Sequence, residues 1–137
     1  MKKRIVSVLL IAMLICVCVV CIYVFSLHVD GSVLIPEGEI TEIRVRLSLE
    51  EEEYTFTGDS AKKIIDYLSD LSLISDFEED PEKSNGAAWF ITLVYEDGRE
   101  ICIYHIGNKF IRNGESDWYK MYYRQAEKFD KLMDELK

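Results

Sequence analysis

The side chains that most often perform nucleophilic chemistry are sparse in this sequence. His28 and His105 are its only histidines, Cys102 is the only cysteine outside an N-terminal apolar run, and no serine stands in a Gly-x-Ser-x-Gly elbow. Cys102 and His105 are three residues apart in a strand-like stretch, so an extended backbone points them to opposite faces. This spacing disfavours a Cys–His dyad. We expect Cys102 to pack as a small apolar residue and His105 to have a structural role.

Carboxylates offer a second kind of chemistry. Asp97, Glu100 and Asp117 could supply the acid–base pair of a small cell-envelope hydrolase, provided that one of them titrates near neutral pH inside a pocket. Two acidic runs, 50–53 and 76–82, could attract hard cations, but neither has the ligand spacing and central glycine of an EF-hand loop. The sequence also lacks a zinc-type His/Cys cluster outside the apolar run and a Gly-rich phosphate loop. It therefore predicts no catalytic residue set, no metal ion and no cofactor.

Aromatic residues are concentrated near the C-terminus. Trp118, Tyr119, Tyr122 and Tyr123 fall within six residues, at the start of a segment with helical periodicity. On a helix beginning near Tyr119, the spacing of Tyr119, Tyr122, Tyr123 and Ala126 predicts one face packed against the core, with Trp118 beside the preceding turn. One face cannot bury all of these rings, and aromatic side chains left at a surface are typical of recognition patches. Trp118, Tyr119 and Tyr123 are the candidate interaction surface.

The N-terminal segment predicts a membrane anchor. After Lys2-Lys3-Arg4, an uncharged run extends from Ile5 to Leu27, which as a helix would be about 34 Å long. A bilayer core needs roughly 20 apolar residues, whereas the apolar region of a secretory signal is usually about 7–15 residues long. By the positive-inside rule the three basic residues stay in the cytoplasm, and the rest of the chain faces outward from the cell membrane as a single-pass protein.

Two other fates of this segment stay open. Val24-Phe25-Ser26 offers a possible signal-peptidase site, which would release a soluble domain. Cys16, Cys18 and Cys21 could in principle be lipidated, but each follows a bulky Ile or Val where lipoprotein processing prefers Gly, Ala or Ser.

The charge distribution excludes one class of partner. The chain carries 16 basic and 25 acidic residues, a net charge of −9, and because three of the basic residues precede the apolar run, the rest has 13 against 25, or −12. Such a surface repels nucleic-acid phosphates, and no segment shows a compensating basic stripe. Nucleic-acid binding is therefore not expected.

The remaining pattern predicts one α+β domain, a two-layer sandwich of an antiparallel sheet and two helices in the order ββ-α-βββ-α. Asp97-Gly98 between two β-rich runs indicates a hairpin. We divide the chain into a transmembrane anchor or signal sequence (1–27), a spacer (28–39) and an extracytoplasmic domain (40–137). Within the domain we expect strands over 40–49, 54–57, 87–95, 101–104 and 109–112, helices over 60–72 and from about Tyr119 onward, and an exposed loop over 75–86.

The anchor, the spacer and this element order, with Val94-Tyr95-Glu96-Asp97-Gly98-Arg99-Glu100 at the hairpin, resemble small extracytoplasmic domains of unknown function in Firmicutes. The resemblance implies an exported protein tethered to the membrane of a Gram-positive bacterium and supplies no catalytic motif. We expect a binding or interaction module without catalytic activity, whose partner is a protein or a cell-envelope component. The alternatives are an anchor helix that acts as a small subunit of a membrane complex, and the hydrolase considered above.

Overall fold

The computed structural model describes residues 2–114 and 116–137. Within them the chain forms three helices and eight strands, with two short 3-10 turns between them. In chain order the elements are α1 (Lys2–Ser26), β1 (His28–Asp30), β2 (Ile40–Leu47), β3 (Glu53–Phe56), α2 (Gly58–Ser69), β4 (Ser72–Ile74), β5 (Ala88–Tyr95), β6 (Glu100–Ile106), β7 (Phe110–Asn113), β8 (Tyr119–Met121) and α3 (Tyr123–Leu136).

The strands form one sheet in the order β1-β4-β8-β7-β6-β5-β2-β3, and every neighbouring pair is antiparallel. The β5–β6 hairpin turns at Asp97-Gly98 as predicted, with Gly98 at a φ of 86°. The predicted α+β fold class, an apolar N-terminal helix followed by an antiparallel sheet with two helices, is confirmed.

The helices α2 and α3 cover one face of the sheet. Each has an apolar stripe at helical spacing, and these stripes meet the alternate strand residues that point to the same side. The buried set includes Ile64 and Leu68 of α2, Phe129 and Met133 of α3, and Ile43, Val45, Ile91, Leu93, Ile103 and Ile111 of the sheet. Both helices leave the opposite face of the sheet uncovered, and we call it the open face.

The helix α1 is apolar on all sides and packs into no core of the described chain. Its residues 4–26 are exposed, and the span Arg4–Ser26 is long and apolar enough to cross a membrane by length and composition. The side chains of Lys2 and Lys3, two of the three predicted cytoplasmic charges, lie outside the part of the chain that the structure describes.

Three strands were absent from the sequence prediction. β1, β4 and β8 have three residues each and pair with one another at one side of the sheet. Three residues are too few to show an alternating pattern, so only the long-range pairing reveals them. The interpretation of residues 28–39 as a spacer is wrong for its first part, because β1 pairs with β4 and Leu34 is fully buried in the core.

The last helix begins later than its periodicity predicts. Residues 119–121 form β8, which hydrogen-bonds to β4 and β7, and α3 begins only at Tyr123. The expected core positions Tyr122 and Tyr123 are consequently 43% and 66% exposed. The strand predicted over 40–49 is shorter in the structure, and Leu49 is 82% exposed because β2 ends at Leu47 and the chain turns.

Candidate functional site

A row of arginine and aromatic side chains crosses the open face of the sheet. Arg46 of β2, Phe90 of β5, Tyr104 of β6 and Arg112 of β7 are directly opposite one another in successive strand pairs. Trp118, just before β8, lies beside Arg112. We call these five residues the arginine–aromatic row. Alternation places them on the face opposite the helices, because their neighbours Val45, Ile91, Ile103 and Ile111 point into the core.

The members of the row stack on one another. The guanidinium carbon of Arg46 lies 4.9 Å from the ring centre of Phe90, and the Phe90 and Tyr104 rings meet edge to face at 5.7 Å. Arg112 is held between two rings, 5.1 Å from Tyr104 and 4.5 Å from Trp118. Each such cation–π contact contributes about 0.5–1 kcal/mol at an exposed site. These contacts hold the Arg46 guanidinium beside Phe90 and the Arg112 guanidinium between Tyr104 and Trp118.

The charges around the row are unevenly balanced. Arg44 is on the same face of β2 as Arg46, two residues before it. It contacts Glu42 at 3.4 Å and also pairs with Glu100, and the hydrogen bond to Glu100 is the main cause that raises the pKa of Arg44. By contrast, within residues 4–114 and 116–137 no carboxylate oxygen lies within 4.0 Å of a side-chain nitrogen of Arg46 or Arg112. The Nε atom of Arg112 is buried and has no hydrogen-bond partner among those residues. The row therefore has two guanidinium groups without an ion-pair partner among the described residues, and a carboxylate or a carbonyl of a partner could accept hydrogen bonds from their accessible N–H groups.

The loop 75–86 borders the row at the β7–β8 side of the open face. The Phe77 ring packs on Phe110 at 5.4 Å, and Glu79 bridges Lys109 at 2.9 Å and Lys120 at 2.6 Å. Hydrogen bonds from these two lysines hold the pKa of the Glu79 carboxyl below its usual value. The loop was predicted to be exposed, and most of its residues are, but these contacts fasten it to the sheet.

The three predicted interaction residues do not come together. Trp118 belongs to the row, whereas Tyr119 lies on the covered face and packs partly buried against the core. Tyr123 is exposed at the start of α3. Arg46, Phe90, Tyr104 and Arg112 were not predicted as site residues from the sequence. Their alternation with apolar residues was visible, but the register that aligns them across four strands is a long-range property.

The two residues considered for nucleophilic chemistry are on opposite faces, as predicted. His105 is a residue of β6 that is fully buried between the sheet and the helices α2 and α3. Its Nε2 atom lies 3.0 Å from the Tyr67 hydroxyl oxygen, and its Nδ1 atom has no partner among the described residues. Burial lowers the pKa of His105 to about 4, an effect partly offset by the Asp130 carboxylate. Cys102 is half-buried on the open face, where burial raises the pKa of its thiol.

Asp130 joins α3 to the sheet beside His105. Its carboxylate accepts hydrogen bonds from the indole N–H of Trp89 at 2.8 Å and from the amide of Asn108 at 2.9 Å. Both carboxylate oxygens therefore have partners within the fold, and this polar cluster acts structurally by fixing the position of α3 against β5.

The carboxylates suggested for hydrolysis are on the surface and apart from the cavities. Asp97 accepts hydrogen bonds from the backbone N–H and the guanidinium of Arg99, which lower the pKa of its carboxyl rather than raise it toward neutrality. Glu100 is paired with Arg44, and Asp117 is exposed. A groove of about 350 Å³ between α2 and α3 and a hollow of about 430 Å³ beside β8 are lined by other residues of the described chain.

The acidic runs make contacts of their own. Glu50 lies 3.7 Å from the Lys137 ammonium nitrogen, and Asp80 pairs with Lys83 at 3.1 Å. Across residues 2–114 and 116–137, the structure brings together no group of three or more His, Cys, Asp or Glu side chains that could hold a metal ion.

Comparisons of the chain with known protein families, with curated proteins and with solved structures find no match. The resemblance to extracytoplasmic domains of Firmicutes therefore stays a prediction.

Proposed function

We propose that this chain is a single-pass, membrane-anchored extracytoplasmic protein that binds a protein partner through the arginine–aromatic row and has no catalytic activity. The observation that carries the proposal is the row itself, a set of stacked arginine and aromatic side chains on the face of the sheet that α2 and α3 leave uncovered.

The anchoring part of the proposal rests on α1. The helix is long and apolar enough to span a bilayer, and the described part of the domain supplies no apolar partner for its exposed surface. The cluster Lys2-Lys3-Arg4 before it favours a cytoplasmic N-terminus, which leaves the domain outside.

The choice of a protein partner follows from the residue types in the row. Tryptophan, tyrosine and arginine are the residues that most often contribute large shares of binding energy at protein interfaces. The row is flanked by the ion pair of Arg44 with Glu100, and the domain as a whole is strongly acidic, so a uniformly anionic polymer would meet repulsion around it. A protein surface with local carboxylates and backbone carbonyls satisfies the donors of Arg46 and Arg112 without that penalty.

The test compares two charge-matched double variants on intact cells. Arg46→Ala with Arg112→Ala removes two positive charges from the row, whereas Lys62→Ala with Lys131→Ala removes two from the exposed surfaces of α2 and α3. Chemical cross-linking of the wild-type chain should give a discrete adduct that the row variant loses and the lysine variant retains. Equal adducts from all three proteins, or loss in both variants, would contradict binding by the open face.

A further inference from the structure

The junction between α1 and the domain has almost no free linker. α1 ends at Ser26 and β1 begins at His28, so only Leu27 separates them. The Leu27 N–H donates to the Val24 carbonyl at 3.3 Å, and the Leu27 carbonyl accepts from the Ser75 N–H at 3.3 Å. The edge of the sheet is therefore fastened directly to the end of the helix.

The side chain of His28 extends this fastening to the start of α3. Its Nδ1 lies 2.7 Å from the Val24 carbonyl oxygen, which can only accept, so Nδ1 carries the proton. Its Nε2 pairs with the hydroxyl of Tyr122, and the two rings stack with centres 5.8 Å apart and planes 13° from parallel. Since Tyr122 immediately precedes α3, the first turn of α3 lies close to the last turn of α1.

Exposed aromatic side chains gather at this place. Beyond α1, the described residues include four exposed large apolar side chains, Val33, Leu49, Tyr122 and Tyr123, and two of these four are at the junction. Phe25, in the last turn of α1, is 79% exposed, and Tyr123 is 66% exposed. Tyrosine has an apolar ring and a polar hydroxyl, which suits the boundary between a bilayer core and water.

We infer that Tyr122 and Tyr123 form a docking edge that rests in the interfacial layer of the same membrane that α1 spans. This inference rests on the anchoring proposed above. The occupant of the edge is the lipid surface, because His28, two residues after the end of α1, contacts Tyr122 and would hold the edge at the level where the helix leaves the bilayer. The acidic surface of the rest of the domain disfavours broader contact with anionic headgroups, which limits docking to this edge. Docking would fix the orientation of the open face relative to the membrane.

The test uses the full chain in vesicles of phosphatidylcholine, a fraction of which carries bromine on the upper part of its acyl chains. Tyr123→Trp places a fluorophore at the proposed edge, and Glu96→Trp places one at the exposed β5–β6 turn. Strand pairing places His28 level with Ala88, at the start of β5. The β5–β6 turn follows the other end of β5, so it lies away from the junction. The wild-type signal from Trp89 and Trp118 is subtracted from both.

Brominated lipid should quench the fluorescence that Tyr123→Trp adds at least about twofold more than the fluorescence that Glu96→Trp adds, as expected for a ring within the interfacial layer. Equal quenching of the two added fluorophores, in a chain that floats with the vesicles, would overturn docking and leave anchoring intact. Failure of the chain to float would overturn both, since the docking edge depends on the spanning helix.

Discussion

On the face of the sheet that α2 and α3 cover, most of the alternate strand residues are apolar and buried, whereas on the open face the residues between them include arginines, aromatic rings and carboxylates. The same strands thus supply Ile43 and Ile91 to one side and Arg46 and Phe90 to the other. The covered face determines which fold forms, because its burial is the main favourable term in folding. The open face buries less apolar surface and so contributes less to stability.

The largest effect on stability is expected from Phe129 of α3, on the covered face. The ring is fully buried and contacts Tyr67 at 5.1 Å, His105 at 5.3 Å and Trp89 at 5.6 Å between ring centres. Phe129→Ala should lower the free energy of unfolding by about 3–5 kcal/mol, through lost burial and a residual cavity. Urea unfolding of the full chain in detergent measures this. A loss below about 1 kcal/mol would show that the covered face is not the tightly packed layer described here.

The next effect concerns pH and the buried histidine of the covered face. The pKa of His105 is about 4 in the folded chain against an ordinary value of 6.5, so below pH 6.5 the unfolded chain binds the proton more readily. His105 thus lowers the free energy of unfolding as pH falls from 6.5 toward 4, by at most about 1.4 kcal/mol for each pH unit. Above 6.5 its effect is constant.

His105→Gln tests this because glutamine is neutral throughout that range and retains an amide for the Tyr67 hydroxyl. The wild type should lose stability relative to the variant as the pH falls from 6.5 to 4. The free energy of unfolding of the wild type minus that of the variant should therefore decrease over this range. Parallel curves over that range would show that His105 is not buried in its neutral form.

A smaller effect on stability, combined with a large one on binding, is expected from the open face. Arg112→Ala should reduce the free energy of unfolding by only about 1–2 kcal/mol, the sum of two cation–π contacts. The same variant should lower the yield of the cross-linked adduct more than any exposed lysine variant does. Thermal unfolding in detergent and cross-linking on cells measure the two quantities. If Arg112→Ala were strongly destabilised and still gave the full yield of adduct, the open face would serve stability and not binding.

The smallest effect is local and concerns the border of the open face. Glu79→Gln removes the charge that bridges Lys109 and Lys120, so the loop 75–86 should exchange its amide hydrogens and be cleaved by protease faster than in the wild type. Lys83, which pairs with Asp80 inside the same loop, offers the control, since Lys83→Ala leaves both bridges to the sheet in place. Similar cleavage rates for the two variants would indicate that Glu79 does not fasten the loop.

The parts of the fold that follow local patterns were predictable from the sequence. α2 has an apolar stripe at helical spacing, and the β5–β6 hairpin has Asp97-Gly98 between two β-rich runs, so both were assigned within a few residues. β1, β4 and β8 were missed because three-residue strands gain their stability from pairing with distant segments. The helical spacing of Tyr119 and Tyr122 was misleading for the same reason, since the pairing of β8 with β7 outweighs it.

The candidate site was predictable only in its type. Trp118 and the expectation of surface aromatic residues came from composition, and Trp118 is indeed in the row. Arg46 and Arg112 are far apart along the chain, and only the strand register brings them into one line. Register is set by turns and by burial across the whole sheet, so no local window of sequence contains it.

The most direct test of the central claim, that the open face and not the helical face meets the partner, is site-specific photocross-linking in intact cells. A photoreactive phenylalanine analogue is placed in the full chain either at position 90, in the row, or at position 62, on the exposed surface of α2. We expect a discrete adduct from position 90 that disappears with Arg112→Ala, and none from position 62. An adduct from position 62 alone would contradict this expectation and move the binding surface to the helices.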